Sequence, residues 1–302
     1  MSQKKQKIRF IINPRSGASR KRNLPVLIEK NLDHSQWDAE TCLTEYAGHA
    51  IQLAKEAAGL GHAMVVACGG DGSVNEISSQ LIGAQTVLGV VPSGSGNGFA
   101  GHLGIGRDVE RAIQLLNHGK VITVDTCRMN GRHFVNLAGI GFDGVVSKRL
   151  HDSPVRGLRA YLRYSLEEAW AYRMQQLDIQ VDGQKISRRC LLVEVANAPV
   201  YGYGFSIVPH ATLNDGLLEV LVINAAPKWR YLLESWRFLN HSFHKSNLAE
   251  CYTCREVVVT PTTPTCYHLD GEGYELTGEA RFSIAPNSLR VMVPKAFGEI
   301  LR

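Results

Sequence analysis

The 302-residue sequence predicts an α/β domain with a parallel sheet, followed by an antiparallel β domain that carries two helices. Up to about residue 125, short apolar runs alternate with helical patterns, and glycine-rich turns follow several of the runs. From residue 121 onward, strand-like stretches dominate. Because no internal repeat or obvious linker separates the two halves, we expect a ligand site in the cleft between them.

Both halves can be divided into elements from their hydrophobic periodicity. In the first half, strands are predicted at 8–12, 63–67 and 87–91, and helices at 47–60, 74–81 and 109–117, the last capped by Asp108. In the second half, strands are predicted at 121–125, 133–138, 177–182, 188–196, 217–223, 255–260, 265–270, 280–285 and 289–293. Helical patterns interrupt them at 157–174 and 228–245, and Asp182-Gly183 predicts a two-residue hairpin turn.

The composition excludes several classes of protein. With 44% hydrophobic and 20% charged residues the chain is not disordered, and no apolar run approaches the ~18 residues of a spanning helix. The basic N-terminus lacks the apolar core of a signal peptide, and seven irregularly spaced cysteines fit a reducing compartment, so a cytoplasmic protein is expected. The net charge of +5 fits an anionic ligand or membrane surface, whereas the shortness of the basic runs argues against nucleic acid.

Three polar, glycine-rich loops, at 13–17, 69–73 and 92–98, follow predicted strands. Glycines at the carboxyl ends of parallel strands let backbone N–H groups approach phosphate oxygens, so the loops predict a nucleotide site. The Walker pattern is absent from the sequence. Gly96, Gly98 and Gly101 match the dinucleotide-binding pattern G-x-G-x-x-G, and Asp125 follows as a possible acidic residue of that pattern. However, Pro92 and three further residues separate the first of these glycines from the preceding strand. A dehydrogenase is therefore disfavoured.

These loops, with Asn75-Glu76, 214–218 and 269–272, resemble the diacylglycerol kinase catalytic-domain family, which includes sphingosine kinases and bacterial lipid kinases. The Gly-Gly-Asp-Gly element is shared with NAD kinases and phosphofructokinases, whereas Pro-x-Gly-Ser-x-Asn and the late Asp-Gly-Glu select lipid kinases. The resemblance implies a Rossmann-like nucleotide-binding domain over 1–125, completed by 287–302. It also implies a C-terminal antiparallel β-sandwich over 126–286 that takes the lipid acceptor.

The resemblance further implies ATP as the phosphoryl donor and Mg²⁺ as its metal. The residues implied to bind ATP are Asn13, Ser16, Gly17, Thr44, Gly69, Gly70, Asp71, Gly72, Ser73, Asn75, Glu76, Ser95 and Asn97. Phosphoryl transfer depends mainly on positioning and on neutralising negative charge, which backbone donors and Mg²⁺ supply. A Mg²⁺ ion is implied at Asp215 and the carbonyls of Thr212 and Leu217, linked through water to Asp71 and Asp125.

A hydroxyl acceptor also calls for a general base. Asp270 and Glu272 are two residues apart in a stretch predicted to be extended, so both carboxylates would face the same side of a strand. Asp270 is the predicted base and Glu272 its rival. The alternative is a solvated Asp-Gly turn followed by a surface glutamate.

Two further patterns have both a structural and a functional interpretation. The apolar stripes of the two helical patterns are predicted to face the protein's own core, with a surface that meets the bilayer as the alternative. They comprise Leu158, Tyr161, Leu162, Leu166, Ala169 and Trp170, and Trp229, Leu232, Leu233, Trp236, Phe238 and Leu239. Cys251, Cys254, Cys266 and His268 form an incomplete zinc pattern, for which buried strand cysteines are the preferred interpretation.

The predicted function is an ATP-dependent kinase that phosphorylates a hydroxyl of a membrane lipid while bound peripherally at the inner face of the membrane. The acceptor is a sphingoid base or diacylglycerol. Gly98 stands where many bacterial relatives have an acidic residue, which favours the sphingoid base. The alternatives are a kinase of a soluble acceptor related to NAD kinase and a catalytically dead nucleotide-binding regulator. The oligomeric state stays open, a homodimer included.

Overall fold

The computed structural model describes residues 4–17, 23–155, 157–199, 208 and 210–298. The chain divides into two compact units. The N-terminal unit comprises Met1–Val124 and Asn287–Arg302, and the C-terminal unit comprises Asp125–Pro286. The last strand, Ala280–Val293, begins in the C-terminal unit and ends in the N-terminal one.

The N-terminal unit alternates strands and helices, as the periodicity predicts. Its elements are β1 (Gln6–Ile12), α1 (Leu24–Asn31), β2 (Trp37–Leu43), α2 (His49–Gly59), β3 (Met64–Gly69), α3 (Asp71–Leu81), β4 (Val87–Pro92), α4 (Gly98–His102) and α5 (Val109–His118). The carboxylate of Asp108 accepts the N–H groups of Glu110 and Arg111, which confirms it as the N-cap of α5.

The sheet of this unit is parallel, with the strand order β2–β1–β3–β4. The end of the last strand adds to it in parallel, with Val291 opposite Leu88. Strands β3 and β4 are buried along their whole length, as expected for central strands of a parallel sheet. All carboxyl ends of these strands lie at one edge, where the glycine-rich loops follow.

The C-terminal unit is antiparallel, as predicted. Its elements are β5 (Lys120–Met129, beginning in the N-terminal unit), β6 (Arg132–Phe134), β7 (Leu137–Gly141), α6 (Phe142–Asp152), α7 (Leu158–Ala171), β8 (Gln175–Val181), β9 (Gln184–Ala196), β10 (Leu218–Asn224), α8 (Lys228–Glu234), α9 (Trp236–Leu239), a 3₁₀ turn (Phe243–Lys245), β11 (Ala249–Cys254), β12 (Glu256–Pro261), β13 (Thr265–Leu269), β14 (Glu272–Leu276) and β15 (Ala280–Val293).

The strands of the C-terminal unit follow the order β14–β13–β7–β9–β8–β12–β15, and β10 pairs with β9 and β11. Apolar side chains from these strands form two buried clusters. Asp182-Gly183 joins β8 to β9 with φ of 42° and 91°, which confirms the predicted hairpin turn. The predicted fold class, an α/β domain followed by an antiparallel β domain, is confirmed.

Several elements differ from the prediction, and those not predicted include α1, β2, α4, β11 and β14. The helical pattern at 228–245 is divided into α8, α9 and a 3₁₀ turn, and the two patterns at 280–285 and 289–293 form the single strand β15. Helix α6 was not predicted, because its residues include a glycine and two adjacent valines and carry a weak apolar stripe. A Cβ at Gly144 would lie 2.3 Å from the Cys266 carbonyl oxygen, so close packing on β13 explains the glycine.

Candidate active site

The three glycine-rich loops of the N-terminal unit pack directly against one another. A Cβ at Gly17, whose φ is +62°, would lie 1.8 Å from the carbonyl oxygen of Ser93. A Cβ at Gly94 would lie 2.4 Å from the Cα of Gly70. The contacts are between backbones, which cannot move aside cheaply. These glycines are therefore required for the loops to come together.

Side chains of the first loop tie it to the second. The Asn13 Oδ1 accepts the N–H of Arg15 at 2.9 Å, and its Nδ2 donates to the Ser73 Oγ at 3.3 Å. The Ser16 Oγ donates to the Asn13 carbonyl at 3.3 Å. Asn13 thus shapes its own turn and reaches the first turn of α3.

The third loop is shaped by Asn97 and Asp71. Asn97 has a left-handed φ of 54°, and its amide both accepts from the N–H of Gly94 and donates to the Gly94 carbonyl. The carboxylate of Asp71 accepts the N–H groups of Gly98 and Phe99 at 3.1 and 3.2 Å. Burial raises the pKa of Asp71, and these N–H groups act in the opposite direction. Asp71 therefore fixes the start of α4.

The other residues predicted to bind ATP lie at the same edge of the parallel sheet. Thr44 is buried directly after β2, and its N–H donates to the Ile12 carbonyl at 2.9 Å. Ser95 is exposed at the tip of the third loop. The rest lie where β3 passes into α3, and they are Gly69, Gly70, Gly72, Ser73, Asn75 and Glu76.

In the C-terminal unit, Asp270 and Gly271 form the turn between β13 and β14, with φ of 49° and 87°. The predicted extended stretch does not persist, so the placement of Asp270 and Glu272 on one face of a strand is wrong. The Oδ1 of Asp270 accepts the N–H groups of Asn136 and Leu137, at 2.9 and 3.1 Å. Its Oδ2 accepts the N–H of Val135 at 3.0 Å.

Glu272 opens β14 on the other side of this turn. Its Oε2 lies 2.8 Å from the Nδ1 of His151 in α6, and the two side chains are 41% and 42% exposed. Glu272 thus keeps a carboxylate that solvent can reach, whereas at least three hydrogen bonds to backbone N–H groups hold that of Asp270.

The loop predicted to hold Mg²⁺ lies in the C-terminal unit. Asp215 is exposed, and its Oδ1 accepts the N–H of Leu217 at 3.0 Å. Buried Asp125 accepts the Gly216 N–H at 2.7 Å, and its own N–H donates to the Leu213 carbonyl at 2.6 Å. The carboxylate and carbonyl oxygens available here, with the exposed Thr212, are the donors that Mg²⁺ prefers.

Across the described part of the chain, one group of three potential metal-ligating side chains comes within 4.8 Å, and the sequence did not predict it: Asp143, Glu194 and His268. The predicted zinc pattern is not such a group. Cys254 is buried and Cys251 is exposed, which agrees with opposite faces of a strand. The sequence gives no sign of the buried group because its members come from α6, β9 and β13.

The apolar stripes of α7 and α8 do not face the protein's core, contrary to the prediction. Exposed fractions reach 68% for Leu166, 79% for Trp170 and 75% for Leu232, and α8 has no buried residue. The other exposed members are Leu162, Trp229, Leu233 and Trp236. Lys228 joins the two helices, since its Nζ donates to the Trp170 carbonyl and lies 5.5 Å from the centre of the indole ring. We call this surface the helix patch.

None of the helices in the described ranges combines the length and the apolar character needed to cross a membrane.

An α/β unit with three interlocked glycine loops, followed by an antiparallel β unit with an Asp-Gly-Glu turn, is the arrangement of an NAD kinase-like fold. Family models specify the class further. The model described as "Diacylglycerol kinase catalytic domain" matches residues 7–129, and "YegS C-terminal NAD kinase beta sandwich-like domain" matches 136–293. The chain therefore belongs to the diacylglycerol kinase catalytic-domain family of lipid kinases, which confirms the resemblance found in the sequence.

Relatives match along nearly the whole chain. A protein named "Diacylglycerol kinase" from Bacillus subtilis (strain 168) is 29% identical over 307 residues, covering 98% of this chain and 99% of the relative. One named "Probable lipid kinase YegS-like" from Yersinia enterocolitica is 28% identical over 273 residues, covering 88% and 90%.

Solved structures support the same fold. The crystal structure of a diacylglycerol kinase from Bacillus anthracis str. Sterne has a TM-score of 0.74 at 19% identity, covering 97% of this chain and 98% of that one. An NAD kinase from Archaeoglobus fulgidus in complex with ATP has a TM-score of 0.52 at 14% identity, covering 97% and 96%. At these identities the likeness concerns the fold alone.

Proposed function

We propose that this protein transfers the γ-phosphoryl group of ATP to a hydroxyl group of a membrane lipid. The observation that carries the proposal is the Asp270-Gly271 turn, which is anchored through Asp270 and leaves the Glu272 carboxylate accessible. A kinase of an alcohol needs a base of this kind. The names of the relatives support a lipid as acceptor, and the ATP complex of the NAD kinase supports ATP as donor.

ATP would lie on the interlocked glycine loops, with its phosphates at the backbone N–H groups of the first turn of α3. We therefore expect Gly94→Ala to abolish ATP binding, because the new Cβ would meet the Cα of Gly70 at 2.4 Å. The matched control is Gly101→Ala in α4, where a Cβ has no neighbour within 4 Å. Isothermal titration with ATP measures both variants. Unchanged affinity in a folded Gly94→Ala protein would move the nucleotide elsewhere.

The oxygen donors of the 212–217 loop fit Mg²⁺, which would be held by the Asp215 carboxylate and by the carbonyls of Thr212 and Leu217. When bound, the ion would order this loop by neutralising the carboxylate and carbonyl oxygens that hold it. The chain's own contribution is to order the loop: Asp125 accepts the Gly216 N–H, and Asp215 accepts that of Leu217.

Glu272 is the better base of the two candidates. Hydrogen bonds from backbone N–H groups stabilise the ionised form of a carboxylate and so reduce its basicity. Asp270 accepts at least three of them, whereas Glu272 makes an exposed contact with His151. We assign Asp270 the task of fixing the turn and Glu272 that of accepting the proton of the lipid hydroxyl.

Diacylglycerol is the first acceptor to test, because the Bacillus subtilis relative is named for it. The argument for a sphingoid base depended on the missing acidic side chain at Gly98. In the structure the Gly98 N–H donates to Asp71, so the position has a backbone role that does not select between head groups. Competition between the two lipids in the same mixed micelles decides the preference.

Peripheral membrane binding through the helix patch would bring the enzyme to such a substrate. Soluble proteins rarely expose this much contiguous apolar surface without a partner. The patch also carries Lys228, Arg230 and Arg237 against Glu234, a balance that suits anionic lipid.

Vesicle binding tests the helix patch. Leu166→Glu with Leu232→Glu should weaken binding to phosphatidylglycerol vesicles by about tenfold or more per leucine, because each leucine side chain is worth ~1.5–3 kcal/mol when buried. The control pair is Val26→Glu with Leu60→Glu, equally exposed in the N-terminal unit at 67% and 60%. Equal weakening by both pairs, or binding that neither pair weakens, would exclude the patch as the docking surface.

The decisive experiment on the function is phosphate transfer from γ-labelled ATP to a lipid extract, in parallel with soluble metabolites that include NAD. Labelled lipid, with no labelled soluble product, is the expected result. Activity on NAD or another soluble alcohol alone would make the protein a kinase of a soluble acceptor. No transfer to any acceptor would favour a nucleotide-binding regulator.

A further inference from the structure

A buried charged group lies directly beneath the Asp270-Gly271 turn. His268 on β13 is opposite Gly139 on β7, and Gly139 is opposite Glu194 on β9. A Cβ at Gly139 would lie 2.3 Å from the Glu194 Oε1 and 2.5 Å from the His268 Nε2. The glycine therefore lets the two flanking side chains meet above it.

Asp143, in the first turn of α6, completes the group. Its Oδ2 lies 2.6 Å from the Nε2 of His268, which in turn is 3.6 Å from the Glu194 Oε1. The Tyr161 hydroxyl donates to the other oxygen of Asp143 at 2.7 Å. The three ionisable residues Asp143, Glu194 and His268 are each at most 4% exposed. Burying an ionisable group to this degree costs free energy unless the group is paired. A group of three such residues is therefore a candidate for a functional role.

The group is joined to the turn by a hydrogen bond. The N–H of Gly271 donates to the Nδ1 of His268 at 3.4 Å. Gly271 lies between Asp270 and Glu272, so this contact acts on the peptide that links the two carboxylates. The same hairpin rests on α6, since a Cβ at Gly273 would lie 2.1 Å from the backbone nitrogen of Lys148.

Two influences on the imidazole oppose each other. Burial disfavours its charged form, whereas the carboxylates of Asp143 and Glu194 favour it. The Gly271 N–H instead favours a neutral ring whose Nδ1 is unprotonated and whose Nε2 proton faces Asp143. A metal ion on Nε2 would have to displace that proton.

We infer that His268 is a positioning residue of the kinase reaction: held by Asp143 on one side, it fixes Gly271 on the other and so sets the direction of the Glu272 carboxylate. The inference rests on the proposed function. It assigns His268 no contact with substrate. A displacement of about 1 Å at a reacting group can cost ~10²-fold in rate, which gives such a residue a measurable effect.

The test compares His268→Gln with His62→Gln. His62 is an equally buried histidine in the N-terminal unit, with its Nε2 2.6 Å from the Glu40 Oε1. We expect His268→Gln to lower kcat by about tenfold or more with the KM for ATP unchanged, and His62→Gln to leave kcat unchanged. Asp143→Asn should have the effect of His268→Gln, and the double variant should be no worse than either, because the two residues act as one unit.

A second measurement does not depend on activity. Backbone amide exchange of the 270–273 turn should become at least about tenfold faster in His268→Gln and stay unchanged in His62→Gln. If His268→Gln does not fold, Asp143→Asn replaces it, since it removes the carboxylate that holds the His268 Nε2 and keeps the size of the side chain.

Three results would overturn the inference. They are wild-type kcat and turn exchange in a folded His268 variant, an equal loss of kcat in His62→Gln, and a stoichiometric metal ion that His268→Gln removes. A wild-type protein that phosphorylates no lipid would refute the proposed function, and amide exchange would still decide whether His268 fixes the turn.

Discussion

Two hairpin turns of the C-terminal unit have the same Asp-Gly sequence and the same backbone conformation. Asp182-Gly183 has φ of 42° and 91°, and Asp270-Gly271 has φ of 49° and 87°. Both aspartates accept N–H groups from a neighbouring segment. Asp182 accepts those of Arg255 and Glu256, as Asp270 accepts those of residues 135–137. Anchoring of an Asp-Gly turn is therefore a structural device that this fold uses twice.

The flanking residues distinguish the two turns. Two residues before the aspartate, the first turn has Gln180 and the second has His268. Two residues after it, the first has Gln184 and the second has Glu272. An anchored aspartate is therefore not by itself a mark of catalysis, and the chemistry that we propose for the second turn would depend on the histidine beneath it and the glutamate beyond it.

The largest effect is expected from Glu272→Gln. This change places in the second turn the residue type that the first turn has at the same position, Gln184. Loss of the base should lower kcat by ~10²–10⁴-fold. The free energy of unfolding should change by less than about 1 kcal/mol, because an exposed ion pair such as Glu272–His151 contributes little. Steady-state kinetics on micellar lipid and urea unfolding measure the two quantities.

The control for this variant is Gln184→Glu, which gives the first turn an acid and should leave kcat unchanged. A folded Glu272→Gln protein that keeps more than about a tenth of wild-type kcat would show that another group takes the proton. Asp270 would then be the next candidate.

The variants Asp270→Asn and Asp182→Asn compare the two turns through their effects on the free energy of unfolding. An asparagine in place of Asp270 would turn an NH₂ group toward backbone donors and lose hydrogen bonds to a charge, each worth ~1.5–3 kcal/mol. We expect Asp270→Asn to be clearly destabilised and nearly inactive. Asp182 is exposed, so Asp182→Asn should lose less unfolding free energy and keep full activity. Equal destabilisation of the two variants in urea would contradict the difference in burial.

The arrangement of the glycine-rich loops was predictable from sequence because its determinants are local. Glycines, Asn13 and Asn97 act within or between short loops that follow strands, and such loops have recognisable composition. The early helix boundaries followed from periodicity and from the Asp108 cap.

The acceptor side was less predictable because its determinants are distant in sequence. The hydrogen bonds to Asp270 come from residues more than 130 positions away. His268 and Glu194 meet only because strand register places Gly139 between them. The exposure of α7 and α8 was also mispredicted, since an apolar stripe has the same periodicity whether it faces a core or solvent.

The smallest expected effect is on the pH dependence of the free energy of unfolding. It distinguishes the two turns because a buried group of ionisable side chains lies beneath the second one. Burial raises the pKa of Glu194 to about 8. The value in the unfolded chain is ~4.3. The neutral His268 ring, whose Nδ1 accepts the Gly271 N–H, takes up no second proton at neutral pH, so Glu194 is the group that titrates.

A group whose pKa is higher in the folded protein keeps a proton that the unfolded chain releases. Such a group stabilises the folded state fully at pH values below its unfolded pKa. This stabilisation is lost as the pH rises through the folded pKa. For Glu194 the loss begins above about pH 4.3 and is complete near pH 8. His268 and Tyr161 lower the pKa of Asp143 against the effect of burial. Asp143 therefore makes the free energy of unfolding depend on pH only at acid pH.

We therefore expect the free energy of unfolding of the wild-type protein to fall between about pH 5 and 8 more steeply than that of Glu194→Gln. Gln180→His, a change under the first turn, should leave the wild-type slope unaltered, because Gln180 is half-exposed and its partner on β9 is Lys185 rather than a buried carboxylate. Urea titrations at about pH 5, 6.5 and 8 give the slopes. Parallel slopes for wild type and Glu194→Gln would mean that the buried glutamate titrates as it does in the unfolded chain, and the two turns would then differ electrostatically only at Glu272.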